Sequence, residues 1–237
     1  MSTSKKPTII ILHGWGLKGS VYGKLIAILR KKDYKVFAPD LPGFASKSLV
    51  KDSMVLDDYV EFIHRFIEKN KLSKPILIGH SFGGRIAIKY VWRYPEDVSK
   101  IILTGVPVIR HQSLGKKLAY VAAIIGGKIL RAFPIQVQDI SRKVLYRSIG
   151  EWDYYKAGPL RQVFKNIIGE ELIIYVKSIQ IPVLLVWGGD DHITPFSDVE
   201  KIKKLIPYAQ SIIVSNADHK LPYLKPQEFF AAVQSFL

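Results

Sequence analysis

Residues 76–84 read Ile-Leu-Ile-Gly-His-Ser-Phe-Gly-Gly, and residues 85–90 continue with Arg-Ile-Ala-Ile-Lys-Tyr. The apolar start predicts a short buried strand, and the segment after the glycines has the spacing of a helix. A serine with a glycine two positions before it and another two positions after it, at such a junction, stands at a sharp turn where its hydroxyl is clear of the backbone. The stretch therefore predicts a strand–turn–helix unit that displays Ser81 as a nucleophile for attack on a carbonyl carbon.

Five further strand-like runs occur along the chain, with segments of helical spacing between them. Their valine, isoleucine and leucine residues lack clean alternation, which is typical of strands buried on both faces. The predicted strands are residues 7–12, 34–38, 75–78, 100–104, 181–187 and 211–214, and three predicted helices are residues 22–31, 56–69 and 199–205. This alternation predicts an α/β fold with a doubly wound, mostly parallel sheet of about six strands.

The interval between the fourth and fifth predicted strands, about 75 residues, is too long for a plain crossover connection. Its helical spacing predicts an inserted helical lid or cap. We therefore divide the chain into a core of residues 1–107 and 177–237 and a cap of residues 108–176. Residues 110–150 carry eight Lys/Arg and one acidic residue, Asp139. This basic stretch is either a solvated surface or a face that attracts an anionic substrate or membrane.

The net charge of +15 is spread over scattered lysine pairs, such as residues 31–32 and 203–204. Because no nucleic-acid motif or arginine-rich tail occurs, we expect no specific nucleic-acid binding and at most a weak association with anionic surfaces. The absence of cysteine excludes disulfides and thiolate metal sites. The sequence has no signal-peptide pattern and no apolar stretch of membrane length, so we expect a cytoplasmic protein without a membrane span. The oligomeric state is left open.

Three loops that follow predicted strands carry groups suited to catalysis, and sites in open α/β sheets form beyond the carboxyl ends of the strands. The loop after the first strand, residues 13–16, reads His-Gly-Trp-Gly. The loop after the fifth, residues 188–195, reads Gly-Gly-Asp-Asp-His-Ile-Thr-Pro, and the loop after the sixth, residues 216–219, reads Asn-Ala-Asp-His. Serine, then aspartate, then histidine is a known chain order for a catalytic triad.

Together with Asp-Leu-Pro-Gly at residues 40–43, these segments resemble the α/β-hydrolase superfamily over nearly the whole chain, in its large group of lid-bearing, carboxylesterase-like serine hydrolases. The resemblance implies that Ser81 is the nucleophile, His219 the base and Asp191 the acid that orients the base. It also implies an oxyanion hole formed by the backbone N–H groups of Trp15 and Phe82. Two converging amides suit the charge that develops on the oxygen during acyl transfer.

The chain departs from the family pattern in three places. Family members usually begin with two more strands, so the resemblance implies an N-terminally trimmed sheet. Asp218 stands where glycine is common before the catalytic histidine, and Ala45 replaces a glycine of the loop after the second strand. Asp190 is an alternative acid, but the family's W-G-x-x-D spacing favours its neighbour Asp191.

Aromatic residues of the predicted cap are candidates for lining an acyl pocket, and they are equally candidates for the core of the cap: Trp152, Tyr154, Tyr155 and Phe164. His13 is expected to support the oxyanion loop, that is, the loop of residues 13–16 that carries the Trp15 amide. His80 is expected either to touch the substrate or to pack beside the nucleophile. His192 adjoins Asp191 without any further ligand pattern, so we expect no metal site.

The expected function is hydrolysis of carboxylic esters of small or medium acyl groups through an acyl-enzyme, with a small-molecule ester as substrate and no cofactor. Thioester hydrolysis and carbon–carbon bond hydrolysis are alternatives within the same fold. Carbon–carbon hydrolases often carry an Asn after the His-Gly loop and an aromatic residue after the catalytic histidine. Here residues 17–25 contain no Asn, and Lys220 follows His219. A non-catalytic receptor for a small ligand is a further alternative, although the presence of all three triad residues argues against it.

Overall fold

The computed structural model describes residues 6–44, 53–109 and 157–237. Within these residues six strands form one sheet of order β2-β1-β3-β4-β5-β6, and every neighbouring pair is parallel. The strands are β1 (Ile9–Leu12), β2 (Val36–Phe37), β3 (Ile76–His80), β4 (Lys100–Thr104), β5 (Val183–Gly188) and β6 (Gln210–Val214). The predicted α/β fold with a parallel sheet of six strands is confirmed.

Helices connect the strands in the order that the sequence predicts. They are α1 (Gly23–Arg30), α2 (Leu56–Lys69), α3 (Phe82–Arg93), α4 (Arg161–Gly169), α5 (Ile173–Lys177), α6 (Ser197–Leu205), α7 (Leu221–Leu224) and α8 (Pro226–Val233), with short 3-10 helices at Gly19–Tyr22, Pro95–Asp97 and Gly158–Leu160. The bounds of α2 are those predicted. It begins where the Val55 N–H donates a hydrogen bond of 2.8 Å to the Asp58 carboxylate, which satisfies a backbone donor at the helix start.

Two apolar cores lie on the two faces of the sheet, because alternate strand residues point to opposite faces. Leu77 of β3 lies in a core that includes residues of α2, α3 and α6. Its neighbours Ile76 and Ile78 lie in the other core, with residues of α1 and α8. Helices therefore cover both faces, and the sheet is doubly wound.

Strand β2 is shorter than the predicted residues 34–38. It lies at the edge of the sheet and pairs with β1 at only two positions, Val36 with Ile9 and Phe37 with Ile10. The next strand along the chain, β3, lies on the other side of β1. The strand order thus reverses at β1, and loops that leave neighbouring strands in opposite directions open a crevice there.

Helices α4 and α5 lie in the segment between β4 and β5, where the sequence predicts the cap. Residues 170–172 separate the two helices. The larger part of the predicted cap, residues 110–156, lies outside the described residues, so its boundaries at 108 and 176 stay a prediction. No helix within residues 6–44, 53–109 or 157–237 is long and apolar enough to cross a membrane.

Two buried cations of α3 attach this returning segment to the core. The Arg85 guanidinium donates hydrogen bonds to the carbonyls of Pro107, Ile167 and Glu170 at 2.6, 2.8 and 2.5 Å. The Lys89 ammonium pairs with the carboxylates of Asp57 at 2.6 Å and Glu170 at 2.5 Å. We call Arg85, Lys89, Asp57 and Glu170 the ion cluster.

Candidate active site

Ser81 stands at the turn between β3 and α3. Its backbone has φ 52° and ψ −113°, a conformation that L-residues rarely adopt and that costs roughly 1–3 kcal/mol. The Ser81 N–H donates to the carbonyl of Thr104 on β4 at 2.9 Å, and α3 begins at the next residue, Phe82. Such local strain is common where a side chain must be presented to a substrate.

The glycines around Ser81 permit a close approach of backbones. A Cβ at Gly79 would lie 2.5 Å from the Cα of Gly84, and a Cβ at Gly83 would lie 2.1 Å from the carbonyl oxygen of Leu12 on β1. Both distances are far below van der Waals contact, so a side chain at either position would push α3 away from the sheet. The small residues of the opening stretch therefore fix the turn that carries Ser81.

Asp191 and His219 come together from the loops after β5 and β6. His219 Nδ1 lies 2.8 Å from Asp191 Oδ2. The Asp191 carboxylate also accepts hydrogen bonds from the Ile193 N–H at 2.9 Å, the Thr194 N–H at 2.8 Å and the Thr194 hydroxyl at 2.7 Å. Burial alone would raise the pKa of Asp191, but His219 and these donors outweigh it and hold the pKa below its ordinary value.

This contact assigns the protons of the His219 ring. A carboxylate only accepts, so Nδ1 carries the proton and the neutral ring presents a lone pair on Nε2. In the described part of the chain no hydrogen bond joins Ser81 to this ring. Free enzymes often hold that contact long and shorten it when the substrate binds. The arrangement can supply a general base whose tautomer is fixed.

Trp15 and Phe82 present backbone N–H groups near the ends of β1 and β3. Phe82 is the first residue of α3, where no earlier turn supplies an acceptor. Neither amide has a hydrogen-bond acceptor among residues 6–44, 53–109 and 157–237. Both N–H groups are therefore available to bind an oxyanion.

His13 holds the loop that carries the Trp15 amide. Its side chain is fully buried, its Nδ1 lies 2.9 Å from the Gly14 carbonyl, and its Nε2 accepts the Leu41 N–H at 2.9 Å. Burial lowers the pKa of His13, which keeps the ring neutral. The Gly14 carbonyl and the Trp15 N–H belong to one planar trans peptide unit. A bond that fixes the carbonyl therefore also fixes the direction of the N–H.

The side chains of the two amide donors belong to an aromatic cluster of Trp15, Phe44, Phe82 and Phe164. The Trp15 ring lies 4.9 Å from Phe44, 5.5 Å from Phe82 and 4.9 Å from Phe164, measured between centroids. Phe164 comes from α4. The structure thus brings one predicted pocket residue against a predicted oxyanion residue. The other pocket candidates, Trp152, Tyr154 and Tyr155, lie outside the described residues.

The chain matches the model of the Hydrolase_4 family, described as serine aminopeptidase, S33, over residues 3–222. The chain belongs to this family. It is therefore a serine hydrolase of the α/β-hydrolase superfamily, as the sequence resemblance implies, and its relatives are of the esterase and lipase kind.

Two relatives of this Hydrolase_4 protein and one solved structure illustrate the likeness. The monoacylglycerol lipase ABHD6 of Homo sapiens is 24% identical over 255 residues, which cover 98% of this chain and 75% of that protein. The pimeloyl-(acyl-carrier protein) methyl ester esterase of Shewanella woodyi is 29% identical over 245 residues, covering 94% and 90%. A thermophilic esterase from Thermogutta terrifontis superposes with a TM-score of 0.73 at 16% identity, covering 99% and 90% of the two chains, and supports the fold.

The remaining polar candidates of the Hydrolase_4 chain lie apart from this geometry. Asp190 is exposed, so Asp191 is the aspartate whose carboxylate reaches His219. His192 is exposed as well, and the described residues contain no group of side chains that could hold a metal ion. The exposed Asp218 accepts the Lys220 N–H at 2.8 Å, which closes a local turn.

Sequence reasoning missed Gly105 and Thr194. Gly105 follows β4 with φ 58°, and a Cβ there would lie 2.8 Å from both Cε1 and Nδ1 of His219. A glycine at the carboxyl end of a central strand is a signal that could have found it. Thr194 gives Asp191 two hydrogen bonds, and its position three residues after the aspartate is a further signal.

Proposed function

We propose that this protein is a carboxylesterase that cleaves esters of small or medium acyl groups, with Ser81 as nucleophile, His219 as base and Asp191 as the residue that orients it. The observation that carries the proposal is the 2.8 Å bond between His219 Nδ1 and Asp191 Oδ2. That bond leaves Nε2 as the free basic atom of the ring, at the same end of the sheet as the strained turn of Ser81. No cofactor is needed for this chemistry.

The proposed reaction has two steps. Substrate binding brings the Ser81 hydroxyl to His219 Nε2, which takes the proton as Oγ attacks the ester carbonyl. The amides of Trp15 and Phe82 bind the oxyanion, and Asp191 stabilises the imidazolium. The imidazolium then protonates the leaving alcohol, and water repeats the sequence on the acyl-enzyme to release the acid.

The aromatic cluster supports an apolar acyl group. Trp15 and Phe82 supply both the amides that would bind the oxyanion and two rings of this cluster, and Phe164 adds a third ring from α4. An acyl chain attached to Ser81 would thus extend from the amides toward aromatic side chains. The printed names of two relatives, a monoacylglycerol lipase and a methyl ester esterase, both describe enzymes that act on carboxylic esters.

The test is a panel of aryl esters of rising acyl length, assayed with the wild type, Ser81→Ala and Ser73→Ala. Ser73 is exposed and precedes β3 at the opposite end of the strand from Ser81, so it serves as the matched control. We expect hydrolysis of short and medium chains, a loss of kcat of at least about a thousandfold in Ser81→Ala, and wild-type rates in Ser73→Ala. Equal rates in Ser81→Ala and the wild type would refute the nucleophile assignment.

A fluorophosphonate probe tests the base separately from the substrate. It should label the wild type at Ser81 and label His219→Ala much more slowly, because the hydroxyl then lacks its base. Labelling without hydrolysis of any oxygen ester would favour thioester or carbon–carbon bond hydrolysis. If the probe labelled nothing and no ester were hydrolysed, the result would favour a small-ligand receptor.

A further inference from the structure

His80, the last residue of β3, is buried at 2% exposure, and both of its ring nitrogens make hydrogen bonds. Nδ1 lies 2.7 Å from the Tyr22 hydroxyl, and Nε2 lies 2.8 Å from the backbone carbonyl of His219. The Tyr22 oxygen also accepts the Gly14 N–H at 3.2 Å. We call the chain of contacts from Gly14 through Tyr22 and His80 to the His219 carbonyl the relay.

The groups at its two ends, the Gly14 N–H donor and the His219 carbonyl acceptor, determine the protons of the relay. The His219 carbonyl only accepts, so Nε2 of His80 must carry a proton. Burial lowers the pKa of His80 to about 3, so the ring is neutral near pH 7 and Nδ1 has no proton. The Tyr22 hydroxyl therefore donates to Nδ1, and its oxygen accepts the Gly14 N–H. Every donor in the relay meets one acceptor, and only this arrangement does so.

We infer that Tyr22 and His80 are positioning residues of the hydrolase site. Their relay fixes the oxyanion loop, residues 13–16, relative to the loop after β6 that carries His219, which we call the loop of the base. The inference rests on the proposed function, since it gives a role to the same site. One end of the relay holds the residue before Trp15, and the other holds the backbone of His219 itself. Neither Tyr22 nor His80 is a catalytic residue in this proposal, because each acts through another residue.

The oxyanion end of the relay is held on both sides of Gly14. Tyr22 fixes the Gly14 N–H, while His13 fixes the Gly14 carbonyl and with it the Trp15 N–H. A Cβ at Gly14 would lie 2.9 Å from Nδ1 of His80, so the glycine backbone lies directly against the ring. A shift of the His80 ring is therefore a shift of the oxyanion loop.

The base end of the relay depends on the position of the His80 ring, whose Nε2–H donates to the His219 carbonyl and whose Nδ1 accepts the Tyr22 hydroxyl. Without the Tyr22 hydroxyl, Nδ1 would be a buried acceptor with no donor, which is costly, and the ring would lose one of its two anchors. A ring that shifted toward another donor would lengthen the 2.8 Å bond to the His219 carbonyl and release the loop of the base from β3. Tyr223 on α7 contacts the rings of both Tyr22 and His80, which leaves the rings little room to compensate.

The enzymatic test compares Tyr22→Phe with Tyr90→Phe. Tyr90 is also fully buried, and its hydroxyl bonds with Asp97 and His64 outside the relay, so Tyr90→Phe controls for the loss of a buried hydroxyl. We expect Tyr22→Phe to lower kcat about tenfold to a hundredfold with KM unchanged within about twofold, since misplacement of about 1 Å costs up to that much. Tyr90→Phe should lower stability without lowering kcat.

A double-mutant cycle with His80→Gln tests whether the two residues act as one unit. The glutamine amide reaches toward the position of Nε2, so it is the conservative change at the His219 end. If the relay is one unit, the loss of kcat in Tyr22→Phe/His80→Gln falls well below the product of the two single losses. Multiplicative losses, or an unchanged kcat in Tyr22→Phe, would overturn the inference.

The protons of the relay can be tested on the wild-type protein alone, without a substrate and without a variant. ¹⁵N chemical shifts of the histidine rings should show His80 neutral from pH 5 to 8, with its proton on Nε2. A proton on Nδ1, or titration in that range, would overturn the relay whatever the protein's activity. Absence of Ser81-dependent ester hydrolysis would instead overturn the proposed function, so the two failures are distinguishable.

Discussion

The relay and the ion cluster are both buried polar networks beside the β3–α3 unit, but the relay is neutral and the ion cluster is charged. The relay joins two loops of the candidate site through Tyr22 and His80. The ion cluster joins residues 157–177 to the core through Arg85 and Lys89. A neutral network keeps the same protons over a wide range of pH, whereas the strength of an ionic network depends on the protonation of its members.

The difference suggests a division of tasks between position and attachment. Short bonds between neutral groups set geometry where a small displacement would alter a reaction. Charged groups attract over longer distances but require desolvation, and removal of one partner leaves the other buried without compensation. Substitutions that displace groups of the candidate site should therefore mainly lower kcat. Substitutions in the ion cluster should mainly lower the free energy of unfolding.

The strongest way to sharpen this comparison is to displace His219 without altering any charge. In Gly105→Ala the new Cβ would meet the His219 ring at 2.8 Å, and we expect kcat to fall roughly a hundredfold, which corresponds to about 2.7 kcal/mol. Gly158→Ala is the control, because Gly158 also has a positive φ, 52°, with no atom within 4 Å of a Cβ. Both variants should lose similar stability in urea, and equal kcat values would contradict the prediction.

The ion cluster is tested next by Arg85→Met, which removes the hydrogen bonds to three backbone carbonyls. We expect the free energy of unfolding to fall by about 2 kcal/mol, because hydrogen bonds from a charged donor in a buried position are strong. Urea unfolding measures the change. Arg30→Met is the control, since Arg30 is exposed and donates one bond of 3.1 Å to the Val36 carbonyl. If kcat of folded Arg85→Met fell a hundredfold, the proposed division of tasks would fail.

The smallest effect is expected for Lys89→Met, which should lower the free energy of unfolding by about 1 kcal/mol near pH 8. The effect is small because both partner carboxylates are partly exposed. Burial alone would lower the pKa of Lys89, but the carboxylates of Asp57 and Glu170 outweigh it and raise the pKa above 10.5. The contribution of the Lys89 ion pairs to the free energy of unfolding is therefore complete below pH 10.5. It is lost as the pH rises through the higher pKa that Lys89 has in the folded state.

Urea titrations of the wild type and Lys89→Met at several pH values check this dependence. The difference between the two should shrink above about pH 10.5. Lys74→Met is the control, because Lys74 pairs with Glu96 at 3.3 Å on an exposed surface. It should change stability by less than about 0.5 kcal/mol at any of these pH values. A difference for Lys89→Met that grew at high pH would refute the assigned sign.

The sequence predicts much of the fold because the features that specify it are local. Strands buried on both faces appear as apolar runs, so β4 has its predicted bounds, residues 100–104. The bounds of α2 are also correct, since an apolar stripe and an acidic first turn both mark the helix. The sequence indicates the candidate triad residues because each follows a predicted strand, and the carboxyl ends of parallel strands meet at one edge of the sheet.

The two networks were not predicted, because their partners are far apart in the sequence. His80 lies 58 residues from Tyr22 and 139 from His219, and Lys89 lies 81 from Glu170. Residues of those types on a helix or beside a turn are usually solvated, so the sequence gives no sign that Lys89 is buried. Their roles depend on tertiary contacts that periodicity does not specify.

The positive φ of Ser81 has a consequence for how this protein would respond to selection. Glycine adopts φ 52° without the penalty that a side chain brings, so replacing Ser81, the proposed nucleophile, with glycine should relieve strain as it removes the hydroxyl. Heat tolerance and turnover are therefore opposed at this residue. A population screened only for survival at high temperature would drift toward inactive proteins, and the retained serine would mark lineages in which catalysis is still selected.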